Sequence, residues 1–145
     1  MKIIDGMDVQ EIICLYMSHG DDFLQCIESA AREKDIQSGV VLSAIGTFDR
    51  VRIRHIKHTQ FPGEMASVEL EGPVELCSVD GIIADYKPHL HTTMSIRGKE
   101  LISGHLAEGC SILYLGEVVI AKLKGRVLAR EDDPASGTPR LVARQ

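Results

Sequence analysis

Apolar and polar residues alternate with a period of two over residues 89–96. Leu90, Thr92, Met94 and Ile96 fall on one side, and His89, His91, Thr93 and Ser95 on the other. That is the signature of a half-buried strand. Residues 11–18 (EIICLYMS) form an apolar run too short for an ordinary helix and predict a buried strand. The period then changes: Asp21 and Asp22 offer an N-cap, and Phe23, Leu24, Ile27, Ala30 and Ala31 mark a helical stripe reaching about Asp35. From Ser38-Gly39 onward strands dominate. Residues 40–45 and 48–56 read as two strands punctuated at Gly46. Pro62-Gly63 and Gly72-Pro73 bracket a short strand containing Val68 and Leu70, and residues 74–83 give the next, with Gly81 as a bulge. Lys87-Pro88 opens the alternating strand, Arg97-Gly98-Lys99 turns it, and residues 100–106 return antiparallel. Glu108-Gly109 turns again before residues 111–123, the last long strand or pair of strands. The pattern predicts an α+β fold, a largely antiparallel sheet with one main helix. Residues 1–126 are expected to form a single domain, and 127–145, which contains Asp132-Asp133-Pro134-Ala135-Ser136-Gly137-Thr138-Pro139, a flexible tail.

Composition narrows the picture. A chain of 145 residues, 44% hydrophobic and 26% charged, has the content of one globular core. Its net charge of −5 opposes association with phosphate backbones unless a local basic patch outweighs it. Arg50, Arg52 and Arg54 alternate on one strand face and are followed by His55, Lys57 and His58; this is the one basic cluster, and a solvated strand face explains it better than phosphate contact does. No aromatic residue is interleaved with those arginines, which disfavours stacking on single-stranded bases. No run approaches the roughly 18 apolar residues that cross a bilayer, and residues 1–9 lack the apolar stretch of a secretory signal, so the expected location is the cytoplasm without a membrane partner. Cys14, Cys26, Cys77 and Cys110 form no Cys-x-x-Cys pair and sit among apolar neighbours, as reduced, buried thiols do.

The chemistry lies in the histidines. Residues i and i+2 of a strand share a face, so His89 and His91 present two imidazoles about 7 Å apart at their bases. A hairpin centred on Gly98 opposes residues whose numbers sum to 196, and His91 and His105 satisfy that sum. Directly opposed residues share a face, so His105 joins the pair. A two-residue turn at Arg97-Gly98 or Gly98-Lys99 would shift the sum by one and send His105 to the other face, so the site requires an odd loop or a bulge. Three neutral imidazoles with an open fourth position suit a divalent metal, zinc first, with iron, nickel or manganese accommodated by the same geometry. Glu75, on a neighbouring strand, is a candidate for supporting the metal's ligands, although a structural hydrogen bond explains that carboxylate better. His19 reads as a polar turn residue.

Gly20-Asp21-Asp22-Phe23 before the helix, Gly72-Pro73-Val74-Glu75-Leu76, His89-Leu90-His91 and Ser103-Gly104-His105-Leu106 follow one another in an order that resembles the PPC (plant and prokaryote conserved) domain family. The resemblance spans residues 11–123. It implies a sheet with one helix against it, a homotrimer, and, as in similar prokaryotic members, a metal site on His89, His91 and His105. The family carries a DNA-binding label drawn from plant members with AT-hooks, but the Arg-Gly-Arg-Pro core of that hook is absent from this sequence. Ser103 also departs from the glycine that relatives often have there. The function implied is a trimeric metal-binding protein with a regulatory or ligand-sensing role and an unknown small-molecule ligand. A metal-dependent hydrolase is the alternative. A cupin-like metalloenzyme also uses His-x-His and a later histidine, but Thr92-Thr93-Met94-Ser95 lacks the glutamate that cupins place there.

Overall fold

The computed structural model describes residues 1–144. In chain order the elements are β1 (Met7–Ser18), α1 (Phe23–Glu33), β2 (Ser38–Ile56), β3 (Met65–Ala84), β4 (Lys87–Ile96), β5 (Glu100–Leu106), β6 (Ser111–Gly125), β7 (Val127–Glu131) and β8 (Arg140–Arg144). The first six strands form one antiparallel sheet in the order β1-β6-β2-β3-β4-β5. β5 also pairs back with β2 through Ile53↔Leu106 and Arg54↔His105, so β2, β3, β4 and β5 close on themselves. The α+β architecture, a largely antiparallel sheet with one helix, is the one predicted. No described helix is long and apolar enough to cross a membrane.

The helix begins where Asp22 caps it. Asp22 keeps extended backbone angles, its Oδ1 accepts from the Gln25 N–H at 3.1 Å, and its Oδ2 accepts from the Gly109 N–H at 2.8 Å. One carboxylate thus satisfies a helix donor and ties the helix to the β5–β6 turn. Phe23, Leu24, Ile27 and Ala31 are buried, and Phe23 meets Phe48 of β2 edge-to-face at 5.5 Å. Replacing Asp22 by Ala is expected to cost about 1–2 kcal/mol in urea unfolding, since a cap is lost and the Gly109 N–H loses its acceptor.

Glycines and prolines expected to end strands do not always do so. Gly46 stays in the ladder opposite Leu76 and Gly116, so β2 runs unbroken. Gly72-Pro73 also lies inside β3, where the register with β2 shifts between Phe48 and Arg50. The backbones approach so closely there that a Cβ on Gly72 would stand 2.2 Å from the Phe48 carbonyl oxygen. These residues mark bulges and close contacts, not turns. The bulge expected at Gly81 lies between Leu76 and Ser78 instead.

The largest departure is at the C-terminus. The segment expected as a flexible tail folds back as the hairpin β7–β8, with Leu128, Ala129 and Val142 buried. The Leu128 N–H donates to Ser38 Oγ, the Leu128 carbonyl accepts from the Asp85 N–H, and the Ser136 carbonyl accepts from the Gly63 N–H. Its two strands have five residues each, and the turn-rich loop between them has the composition of a disordered linker. Gln145 lies outside the described residues. The cysteines also differ from expectation: only Cys110 is buried, Cys26 is half-buried, and Cys14 and Cys77 are exposed. The Cys110 thiol donates to the Ala107 carbonyl, and burial pushes its pKa up to about 11.

Candidate metal centre

The β4–β5 hairpin decides the site. Ile96 pairs with Glu100, leaving Arg97, Gly98 and Lys99 in an odd, three-residue loop. The Lys99 N–H donates to the Ile96 carbonyl at 3.0 Å, with Arg97 and Gly98 both at positive φ. That count preserves the sum of 196 and sets His91 opposite His105. The His89 and His91 rings stack at 5.5 Å and 13°, and the His105 ring meets them edge-on, 4.7 Å from His89 and 5.5 Å from His91. One ring nitrogen from each of the three lies within 4.8 Å of the other two. Metal–nitrogen bonds of about 2.0–2.1 Å at tetrahedral angles need nitrogens roughly 3.3 Å apart, so the three rings must draw closer to hold an ion.

The electrostatics favour ligation. Burial holds the His89 imidazolium down, to a pKa of about 4, helped by the nearby charges of Arg130, His105 and His91. His105 is lowered by burial, then by His91, Arg54 and Arg130. Both rings are therefore neutral at pH 7 and offer lone pairs to a cation. The consequence for stability has a definite sign. A histidine whose folded pKa falls from 6.5 to about 4 contributes fully above pH 6.5, and its contribution is lost as the pH falls towards 4. Metal-free protein is thus expected to lose thermal stability across that window, and the His89→Asn variant to lose less of it, as followed by melting temperature against pH.

The other candidates are placed apart from this cluster. Glu75 stands opposite Thr47 and Ser95, four residues from His91 along β4, and borders a separate depression with Ile45 and Tyr114. It is not brought to the histidines, because the turn at Asp85-Tyr86 sets the β3–β4 register. Ala84 pairs with Lys87, and by the same count Asp80 pairs with His91. Asp80 is thus the carboxylate that shares a face with His91, although it is exposed and outside the converging group. His19 Nδ1 donates to the Leu113 carbonyl at 2.7 Å, as suits a turn residue. The basic stripe is largely occupied: Arg52 pairs with Glu69 at 2.6 Å, Arg50 donates to the Gly109 carbonyl, and Lys57 pairs with Glu64. Arg54 lies across from His105.

The histidines open on a cavity of about 720 Å³. Its walls include Arg54, Ile56 and Met65, with Gly137, Thr138 and Pro139 contributed by the loop between β7 and β8. This wall was not foreseen, since the segment carrying it read as a tail.

The Plants and Prokaryotes Conserved (PCC) domain matches residues 5–124 of this sequence, nearly the whole six-stranded sheet and its helix. The chain belongs to that family. Within the PCC domain all three histidines lie on its β4–β5 hairpin, whereas β7 and β8 lie beyond the matched residues. The chain is 31% identical, over 127 residues, to the bifunctional protein GlmU of Synechococcus sp. strain JA-2-3B'a(2-13). That match covers 88% of the chain but only 19% of the length of GlmU. A metal-containing protein from Archaeoglobus fulgidus, AF0104, has the same fold at a TM-score of 0.83 and 27% identity, with 98% of this chain and 99% of that one covered. A Ralstonia eutropha JMP134 protein, provisionally described as DNA-binding, superposes at a TM-score of 0.74 with 23% identity over 89% of each chain. The three imidazoles of this PCC domain are arranged as a site able to hold a metal ion.

Proposed function

We propose that this PCC domain is a cytoplasmic, homotrimeric metal-binding protein with a ligand-sensing or regulatory role, holding zinc through His89, His91 and His105. The observation that carries this reading is the convergence of three ring nitrogens within 4.8 Å on facing strands, two of them in rings held neutral by burial. Similarity to a metal-containing protein supports it. Three imidazoles leave a fourth position for water or a ligand, and a bound divalent ion supplies Lewis acidity and lowers the pKa of such a water. The same chemistry would serve a hydrolase.

Self-association is supported by the outer face of β1, β6 and β2. Tyr16, Glu117 and Ile45 form one row across these strands, and Ile12, Ala121 and Val40 another. Ile12, Tyr16 and Ile45 are each more than half exposed, and Leu42 and Tyr114 add to the exposed apolar surface. Glu117 interrupts this face between Tyr16 and Ile45, but so many large apolar side chains exposed on one sheet face are a surface that a partner subunit can cover. Zinc titration by calorimetry is expected to give one site per protomer, and sedimentation to give three protomers per particle. Failure to bind zinc would reject the metal centre, and a monomer would reject the assembly.

Duplex DNA enters as a second reading through the description of the Ralstonia protein. The net charge of −5 and the pairing of Arg52 and Lys57 with carboxylates weigh against it. A phosphate-driven mode requires binding that strengthens as salt is lowered.

A further inference from the structure

The C-terminal hairpin places a second kind of chemistry beside the histidines. Arg130, on β7, has its Nε buried without a hydrogen-bond partner among the described residues. Arg54, on β2, borders the same cavity as the histidines. Among the described residues no carboxylate lies within ion-pair distance of either guanidinium, although Arg32, Arg52, Arg140 and Arg144 each have one. Arg54 stands across from His105 on the cavity wall, and Arg130 is near enough for its charge to act on His89 and His105. A buried, unpartnered guanidinium N–H costs free energy that an oxygen acceptor would recover.

The charge balance points the same way. A dication held by three imidazoles, with Arg54 on the cavity wall, Arg130 near His89 and only the exposed Asp80 opposite His91 to offset them, would make the site electropositive within a chain that is acidic overall. The fourth metal position and the two guanidiniums together call for an oxyanion. The cavity beside them, with walls from Ile56, Met65 and Pro139, has room for a small organic body.

We propose that the site binds a small monocarboxylate with an apolar body, whose carboxylate meets the metal's open position and the guanidiniums of Arg130 and Arg54, with the β7–β8 hairpin as one wall. The proposal rests on the three-histidine metal reading. It gives the hairpin a binding role that lies outside the matched PCC region.

Cobalt-loaded full-length protein provides the test, because the visible spectrum of cobalt(II) reports its coordination. Benzoate is the probe, with benzamide as the neutral isostere and phenyl phosphate as the other oxyanion class. Benzoate is expected to shift the spectrum saturably and benzamide not to. The Arg130→Met variant is expected to bind cobalt as the parent does while its affinity for benzoate falls by about 10-fold to 100-fold. Unchanged cobalt affinity shows that the variant is folded, and Arg54→Met repeats the test at the guanidinium that borders the cavity. Failure to take up cobalt would overturn the metal reading and this proposal with it. A cobalt spectrum indifferent to millimolar benzoate would overturn the proposal alone, as would benzoate affinity retained in both arginine variants or tighter binding of phenyl phosphate than of benzoate.

Discussion

Changing His91 to Ala is expected to lower affinity for a divalent metal by more than about 100-fold while leaving the fold intact. The size follows from comparison with outer partners: removing a group that merely orients a metal ligand costs about 10-fold to 100-fold, so removing one of three ligands costs more. The intact fold follows from exposure. His91 projects from β4 into the open, whereas Leu90 and Thr92 on either side of it are buried and hold the strand in place. Competition against a chromophoric chelator measures the first effect and the melting temperature of the metal-free protein the second. Parent-like affinity in the variant would remove His91 from the site.

Changing Gly81 to Ala is expected to damage fold and site together. Gly81 pairs with Leu90 on β4, and a Cβ there would stand 2.1 Å from the carbonyl oxygen of His89 and 2.9 Å from Leu90 Cδ2. Neither neighbour has room to yield, since one is strand backbone and the other a fully buried side chain. Overpacking of this kind costs about 3 kcal/mol or more where backbone must move. The backbone that moves carries His89, so metal affinity is expected to fall with stability even though no ligand has changed. Chemical denaturation and metal titration of the same variant check the two halves. A stable Gly81→Ala protein with parent-like metal binding would show that the β3–β4 contact is looser than the structure has it.

The two predictions draw on different depths of legibility in the sequence. The facing of His91 and His105 was readable because a hairpin loop is local: the parity of three residues at Arg97-Gly98-Lys99 settles the register, and the strict alternation of β4 settles the face. The helix was readable for a similar reason, its apolar period and the Asp22 cap being properties of adjacent residues. The placing of Glu75 failed one strand further away. The same counting argument applied to Asp85-Tyr86, both at positive φ as a tight two-residue turn requires, leads to Asp80 opposite His91. Gly46 and Gly72-Pro73 misled because a glycine in a strand looks alike in sequence whether it ends the strand or lets two backbones approach; only the partner strand distinguishes these. The hairpin of β7 and β8 was invisible for a third reason. Short strands rich in arginine bury little by themselves, and Leu128, Ala129 and Val142 find their cover only once the sheet exists. The unpartnered Arg130 and the cavity wall at Gly137, Thr138 and Pro139 depend on that docking and were hidden with it.

The exposed thiols of Cys14 and Cys77 sharpen the central question, because zinc bound by a protein with free surface cysteines need not be bound by histidine. X-ray absorption at the zinc edge of the purified protein separates the two cases. The expected result is zinc bound by three imidazole nitrogens and at least one further light-atom ligand at about 2.0 Å, with no sulfur. A shell containing sulfur at about 2.3 Å, or one with fewer than two imidazoles, would contradict it.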